Sequence, residues 1–212
     1  MKKAIVIGST GLVGTQLISQ LLENKDYSEV ISLVRRKSGV QHPKLTEHVV
    51  DFDKPNSWKE FVKGDVLFST MGTTIKTAGS QANQFKVDYT YQYVTAKIAS
   101  GNGVPVYVLI SSAGASSKSF IFYPQMKGKL EDDVKKLPFK TIHILKPGPL
   151  DGDRQEHRKA EKQGLKGIYF FNKLGLFRKY RPILGSEVAK AMISVAEKRV
   201  SGEFKLDELF KI

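Results

Sequence analysis

Ala4-Ile5-Val6-Ile7-Gly8-Ser9-Thr10-Gly11-Leu12-Val13-Gly14, close to the start of the chain, is the stretch on which the reading of the fold turns. Four consecutive apolar residues suit a strand covered on both faces in a parallel sheet. Glycines at 8, 11 and 14 then permit a sharp turn, let backbone amides approach a pyrophosphate, and let the next helix pack close to the sheet. That helix is expected over Leu12 to Asn24, with its N-terminal amides and dipole turned toward the anion. The spacing is GxxGxxG, not the GxGxxG of the standard dinucleotide turn, so the residues alone also fit a glycine-rich turn without a ligand. Position favours a nucleotide: a strand precedes the turn, an amphipathic helix follows, and a second strand, Glu29 to Val34, completes a β-α-β unit. Gly8, Ser9, Thr10, Gly11, Leu12, Val13 and Gly14 are therefore the first candidate cofactor-binding residues.

The chain has 212 residues, enough to bury a full core, and no Pro-, Gly- or Ser-rich break divides it. Cysteine is absent, which excludes thiol chemistry, disulfides and thiolate metal sites. His42, His48, His143 and His157 lack ligand spacing, so no metal is expected, and Ser111-Ser112-Ala113-Gly114 is not a GxSxG elbow. No apolar run approaches the length of a membrane span, and Met1-Lys2-Lys3 leads into a short strand, not a signal sequence. A cytoplasmic location is expected on that basis. The net charge of +13 would suit nucleic acid, an anionic membrane surface or an acidic partner. Its densest window, Arg154 to Arg181, holds nine Lys or Arg against Glu156 and Glu161. No nucleic-acid motif accompanies it, so a solvated basic surface is the preferred reading and no nucleic-acid partner is expected.

Beyond the second strand stand Arg35 and Arg36, where an NAD-preferring protein would place a carboxylate against the ribose 2′-hydroxyl. Guanidinium groups there favour the 2′-phosphate of NADP over NAD, although an ordinary basic strand end has the same sequence. A short strand is expected over His48 to Phe52, with Asp51 near the adenine amino group and Phe52 either lining its pocket or joining the core. Ser57 is expected to cap a short helix running to Phe61. A fourth strand, Asp65 to Thr70, opens into Met71, Gly72, Thr73 and Thr74 at the expected ligand crevice. A helix over Gln84 to Ser100, a fifth strand over Val104 to Ile110, a helix reaching Leu137 and a sixth strand over Thr141 to Leu145 continue the alternation. A helix from Ser186, capped by that residue, and an edge strand at Phe204 to Leu206 close it. The expected architecture is α/β: one Rossmann-type domain over 1–212, a doubly wound parallel sheet with a small C-terminal extension. An irregular basic segment at 151–185 lies near the substrate cleft.

Hydride transfer to a carbonyl needs a proton donor for the oxygen as it gains charge, and Tyr123 is the candidate. Lys127, one helical turn on, would make the tyrosine more acidic and hold the nicotinamide ribose, while Ser112, or alternatively Ser111, would orient the carbonyl. Taken with Gly8 to Gly14, Val34-Arg35-Arg36, Gly72-Thr73-Thr74, Ala78-Gly79, Val87-Asp88, Ser111 to Ala115, Tyr123, Lys127-Gly128 and Pro147-Gly148, this pattern resembles the short-chain dehydrogenase/reductase superfamily. Within it, the chain is similar to the atypical NAD(P)H-binding group that includes the animal Tat-interacting protein and its bacterial relatives. The resemblance implies a Rossmann-type sheet, NADP as cofactor, Ser112, Tyr123 and Lys127 as catalytic residues, and Ser111, Pro147 and Gly148 beside the cofactor.

Three features depart from the family pattern. Pro124 is expected to keep Tyr123 out of the helix proper, as a cap or N-terminal neighbour. Asp88 stands where many relatives have an asparagine, and the chain after Leu150 is short, which implies a shallow substrate pocket. The resulting expectation is an NADP-dependent oxidoreductase acting on a small carbonyl or alcohol, with Tyr123 as general acid/base. The alternative is an NADPH-binding regulatory or protein-interaction module with little or no turnover. Partners are thus a small carbonyl compound or a protein, with a homodimer left open. Tyr169, Phe170, Phe171, Phe177 and Tyr180 interleave with basic residues in a way that also suits single strands or a membrane surface. A cover for the nicotinamide end of the cleft, or a subunit contact, is the plainer reading of these rings.

Overall fold

The computed structural model describes residues 1–151 and 181–212. In chain order the elements are β1 (Lys2–Ile7), α1 (Leu12–Glu23), β2 (Tyr27–Val34), β3 (Leu45–Val49), β4 (Val66–Ser69), α2 (Ile75–Ala78) and α3 (Gln81–Phe85). A π-helical turn (Lys86–Tyr91) leads into α4 (Gln92–Gly101), then β5 (Val106–Ile110), α5 (Phe122–Val134), β6 (Thr141–Lys146) and β7 (Leu150–Asp151). After the undescribed residues come β8 (Ile183–Leu184), α6 (Gly185–Ala196) and β9 (Gly202–Lys205).

Among the described residues, seven strands form one sheet in the order β3-β2-β1-β4-β5-β6-β9. Every pairing in it is parallel, and β7 pairs with β8 separately. The side-chain period of two sorts β1 between two cores. Ala4 and Val6 pack with Val13 and Leu17 of α1 and with Val188 and Met192 of α6. Ile5 and Ile7 pack on the other face with Trp58, Ala96 and Ala99 of α4, and Leu130 of α5. All four β1 residues are fully buried, which explains why this strand reads as a continuous apolar run. Strand order reverses between β1 and β4, so the crevice of this doubly wound sheet opens where those two strands end.

Several local expectations change. The strand expected over His48 to Phe52 ends at Val49, because β2 ends at Val34, its last paired partner. Asp51 and Phe52 lie beyond it in a turn closed by Lys54 N–H donating to Asp51 O. Ser57 caps no helix: its Oγ donates to Lys54 O at 2.7 Å, and two 3-10 turns, Pro55–Ser57 and Lys59–Phe61, replace the expected helix. Gln84 to Ser100 is not one regular helix but α3, the π turn and α4. α6 begins at Gly185, and the donor at its start, Leu184 N–H, is held by the Glu187 carboxylate at 2.9 Å, not by Ser186. The basic segment between 152 and 180, with its aromatic residues, lies outside the described residues.

Candidate functional site

Two of the three turn glycines are demanded by the chain itself. Gly8 has φ +81°, and a Cβ there would lie 2.5 Å from Met71 N, so the turn presses against the loop leaving β4. At Gly14 a Cβ would fall 2.1 Å from Gly8 O, so only glycine lets α1 sit on the turn. Gly11 is different: its φ is −83° and a Cβ would meet only Gly8 O, at 3.3 Å. The missing side chain at this exposed helix start therefore leaves room for something outside the chain, as a dinucleotide pyrophosphate against the α1 N-terminus requires. Thr10 is exposed and Val13 is core, while Leu12 O packs 2.9 Å from where a Cβ on Gly185 would stand. Ser9 contributes its backbone to the turn, and its buried hydroxyl accepts from Ser32 Oγ at 2.7 Å.

Around this turn the parallel register brings the other strand ends together. Thr70 N–H donates to Ile7 O at 3.0 Å, Ser111 N–H to Leu145 O at 2.8 Å and Ala113 N–H to Pro147 O at 3.0 Å. Thus the β1, β4, β5 and β6 ends, with Met71 to Thr74, Ser111, Ser112 and Pro147-Gly148, share one edge. Arg35 and Arg36 are exposed just past β2 and form no ion pair among the described residues, which suits an anion. Asp51 is exposed and 3.5 Å from Lys54 Nζ. Phe52 is in the core, stacked on Tyr91 at 5.3 Å and edge-on to Trp58 at 5.6 Å.

The two serines have separate fates. Ser111 is buried and its hydroxyl is committed to Glu131 Oε1. Glu131 in turn pairs with Lys146 Nζ at 2.6 Å, and Lys146 with Glu203 at 2.8 Å. Ser112 Oγ is buried and has no hydrogen-bond partner among the described residues, as a donor left for a substrate oxygen would. Among the described residues, Ser112 is therefore the serine with an unpaired hydroxyl at this strand end.

Tyr123 stands in the first turn of α5, which starts at Phe122. Pro124 does not exclude it from the helix, since a proline in the first turn has no intrahelical N–H bond to lose. The tyrosine is 39% exposed, and Lys127 Nζ lies 6.0 Å from its ring centroid. Lys127 is 3% exposed, and its ammonium makes no hydrogen bond among the described residues. Gly128 fixes this helix in place: a Cβ there would be 2.1 Å from Ser117 N, so the loop after β5 crosses directly over α5. Asp88, fully buried in the π turn, accepts from Thr73 N–H at 2.8 Å. Burial raises its pKa above the ordinary carboxylate range, against the pull of the Lys127 charge and its hydrogen-bond donors.

The Ser111–Glu131–Lys146–Glu203 chain escaped sequence reasoning. Its signal was a carboxylate on the inward face of α5, in register with Lys127 and Val134, and a lysine ending an apolar strand. A groove of about 470 Å³ lined by Phe85, Phe122 and Met126 lies along α5 and includes neither the glycine turn nor Ser112. Among the described residues no cluster of His, Asp and Glu could hold a metal, and no helix is long and apolar enough to cross a membrane.

A family model described as NAD(P)H-binding matches residues 8–165. The mitochondrial protein FMP52 of Candida albicans is 35% identical over 206 residues, spanning 94% of this chain and 90% of that one. Its counterpart in Debaryomyces hansenii is 35% identical over 230 residues, covering 98% of both. Among solved structures, the Bordetella bronchiseptica enzyme WbmH in complex with NAD+ matches with a TM-score of 0.73 at 16% identity, over 97% of this chain and 76% of that one. Thermus thermophilus UDP-glucose 4-epimerase complexed with NAD gives 0.69 at 17%, over 99% and 81%. At those identities the likeness is one of fold. The expectation of a cytoplasmic location is overturned by the curated relatives, which are named as mitochondrial proteins. That no helix among the described residues is long and apolar enough to cross a membrane does not report the compartment.

Proposed function

Because the chain belongs to the NAD(P)H-binding family, of atypical short-chain dehydrogenase/reductase type, we propose that it is an NADP-dependent oxidoreductase acting on a small carbonyl or alcohol. The observation that carries this reading is the buried Ser112 Oγ, unpartnered among the described residues, at the same sheet edge as the glycine turn, with Tyr123 and buried Lys127 on the helix that follows. Gly8 to Gly14 hold the pyrophosphate, and Gly72 to Thr74 with Pro147-Gly148 flank the nicotinamide half. Arg35 and Arg36 meet the 2′-phosphate, which sets NADP above NAD.

Bound NADPH supplies a hydride. Ser112 donates a hydrogen bond to the carbonyl oxygen and so orients the carbon for attack. Tyr123 transfers its hydroxyl proton to that oxygen, giving the alcohol and leaving a tyrosine oxide that the Lys127 charge stabilises.

The test combines fluorescence titration of NADPH and NADH with NADPH oxidation over a panel of aldehydes and ketones. Wild type should bind NADPH more tightly than NADH, and Arg35→Ala should erase most of that difference. Tyr123→Phe should lower turnover by about 10²-fold or more while leaving the NADPH dissociation constant unchanged. Tight NADPH binding with no oxidation of any carbonyl would instead identify a regulatory or interaction module. Failure to bind either dinucleotide at millimolar concentration would overturn both.

A further inference from the structure

Phe120 and Ile121 are two large apolar side chains side by side on the surface, 105% and 69% exposed, directly before the helix that carries Tyr123. Left in water, they give nothing to the fold. Single exposed apolar residues are ordinary, but an adjacent pair next to a proton donor is a patch with a place for an occupant. Their neighbour Phe122 is already placed, since it lines the groove along α5 with Phe85 and Met126, and that groove includes neither Phe120 nor Ile121.

A run of hydrogen bonds holds the backbone beneath the pair. Ala115 N–H donates to Ser112 O at 3.2 Å, Ser116 N–H to Pro124 O at 3.0 Å, and Ser119 N–H to Ser116 O at 3.0 Å. Ile121 N–H donates to Ser119 Oγ at 3.1 Å, and Ile121 O accepts from Gln125 N–H at 3.0 Å. Ser112, Tyr123 and the apolar pair are thus parts of one hydrogen-bonded loop-and-helix unit. Polar recognition has little to work with there: from Ser111 to Gln125 the one charged residue is Lys118, and no Asp or Glu stands between Asp88 and Glu131 in the sequence. What this rim offers a substrate is apolar area.

We propose that Phe120 and Ile121 seat the apolar chain of the substrate, so that the compound reduced at Ser112 and Tyr123 is an aldehyde or ketone carried on a hydrocarbon chain, not a sugar. The reaction rests on the function proposed above, in which the hydride of NADPH goes to the carbonyl carbon and the Tyr123 proton to its oxygen; the seat itself binds without turnover. Each CH₂ laid on the pair leaves water, and full burial of one tightens binding by up to about fourfold.

The experiment follows protein labelled at isoleucine and methionine methyl groups by NMR, with the Ile121 signal assigned by its loss in Ile121→Val. The probes are 1-butanol, 1-hexanol and 1-octanol, without cofactor. The Ile121 signal should move on titration, with a dissociation constant falling by about two- to fourfold per added CH₂, and Phe120→Ser should flatten that series. Both positions are exposed, so neither substitution threatens the fold. Dissociation constants that ignore chain length, or shifts at Met126 in the α5 groove with Ile121 silent, would overturn the proposal.

Kinetics with NADPH and the straight-chain aldehydes from propanal to decanal supply the second arm. In wild type kcat/KM should climb with chain length, and Phe120→Ser should lower it for decanal by about tenfold more than for propanal. Equal values across the series would leave the proposed reaction standing and sink the apolar seat. Turnover of no aldehyde, with the alcohols still bound at Ile121 in order of length, would sink the reaction and leave the seat. Sedimentation, and flotation with vesicles of anionic phospholipid, test the other occupants. A loss of self-association or of vesicle binding in Phe120→Ser, with no dependence on chain length in wild type, would give the pair to a second copy or to a bilayer and overturn the proposal.

Discussion

Gly11 and Gly14 are three residues apart on the same turn, yet the structure asks different things of them. A methyl group on Gly14 would be driven into Gly8 O at 2.1 Å, backbone against backbone, with no flexible side chain to yield. Gly14→Ala should therefore destabilise the fold by roughly 1–3 kcal/mol, read as a lower denaturant midpoint at unchanged slope. On Gly11 the same methyl meets one oxygen at 3.3 Å in an ordinary φ region, a contact relieved by a small shift. Gly11→Ala should stay within about 0.5 kcal/mol of wild type in stability. It should nonetheless weaken NADPH binding by about tenfold or more, roughly 1.4 kcal/mol, because the methyl occupies the approach to the pyrophosphate. Equal effects of the two substitutions on stability, with no separate loss of affinity at Gly11, would mean that the turn is merely structural.

At the scale of elements, α5 joins the site to the far edge of the sheet through buried charge. Ser111 of the β5 end, Glu131 of α5, Lys146 of β6 and Glu203 of β9 form one chain, with Glu131 and Lys146 only 4% and 10% exposed at their side chains. Lys146→Met removes the cation that Glu131 and Glu203 share, and leaves the buried Glu131 carboxyl without its ion-pair partner. A loss of about 3–5 kcal/mol is expected, measured by urea unfolding. Glu203 is held down at about 2 by hydrogen bonds from Lys135 and Lys146. Its folded pKa lies below its unfolded one, so its contribution is complete above about pH 4.5 and is lost as pH falls toward 2. In Lys146→Met that acid-side loss should shrink.

The glycine turn was legible in the sequence because all its partners lie within a few residues, and the apolar strands because their period is visible in place. Glu131 and Lys146 were not, since nothing local in either residue names a partner on another element. The π turn at 86–91 hid for a related reason. One extra residue scarcely disturbs apolar spacing that already suits a helix, and only the burial of Asp88 exposes it. Tyr123 is the opposite case: a proline disfavours helix at the residue before it, yet in the first turn of α5 that restriction is relaxed. Ser112 already stood ahead of Ser111 in the sequence, but that Glu131 takes the Ser111 hydroxyl could be seen only in the structure.

For the whole molecule the dominant quantity is the net charge of +13. Its distribution follows partly from topology, since loops after parallel strands all emerge at one end of the sheet. Exposed Arg35, Arg36 and Lys37 follow β2, Lys76 stands on α2 after β4, and Lys118 lies in the loop after β5. The carboxylates exposed near that end are already occupied, Asp51 beside Lys54 and Asp53 with Lys86 at 2.7 Å. The edge that holds the glycine turn should thus draw anions from beyond contact distance, over a range of about 10 Å at 0.1 M salt. Stopped-flow fluorescence should then show the NADPH association rate constant falling by about tenfold or more between roughly 10 mM and 500 mM salt. NADH, which lacks the 2′-phosphate, should show a shallower slope. If the positive charge were only a solvated surface unrelated to the cofactor, both association rates would be flat with salt while the dissociation rates carried any difference between the two dinucleotides. A steep slope for NADPH alone that disappears in Arg35→Ala would locate the attraction at the end of β2, joining the charge of the whole chain to one guanidinium.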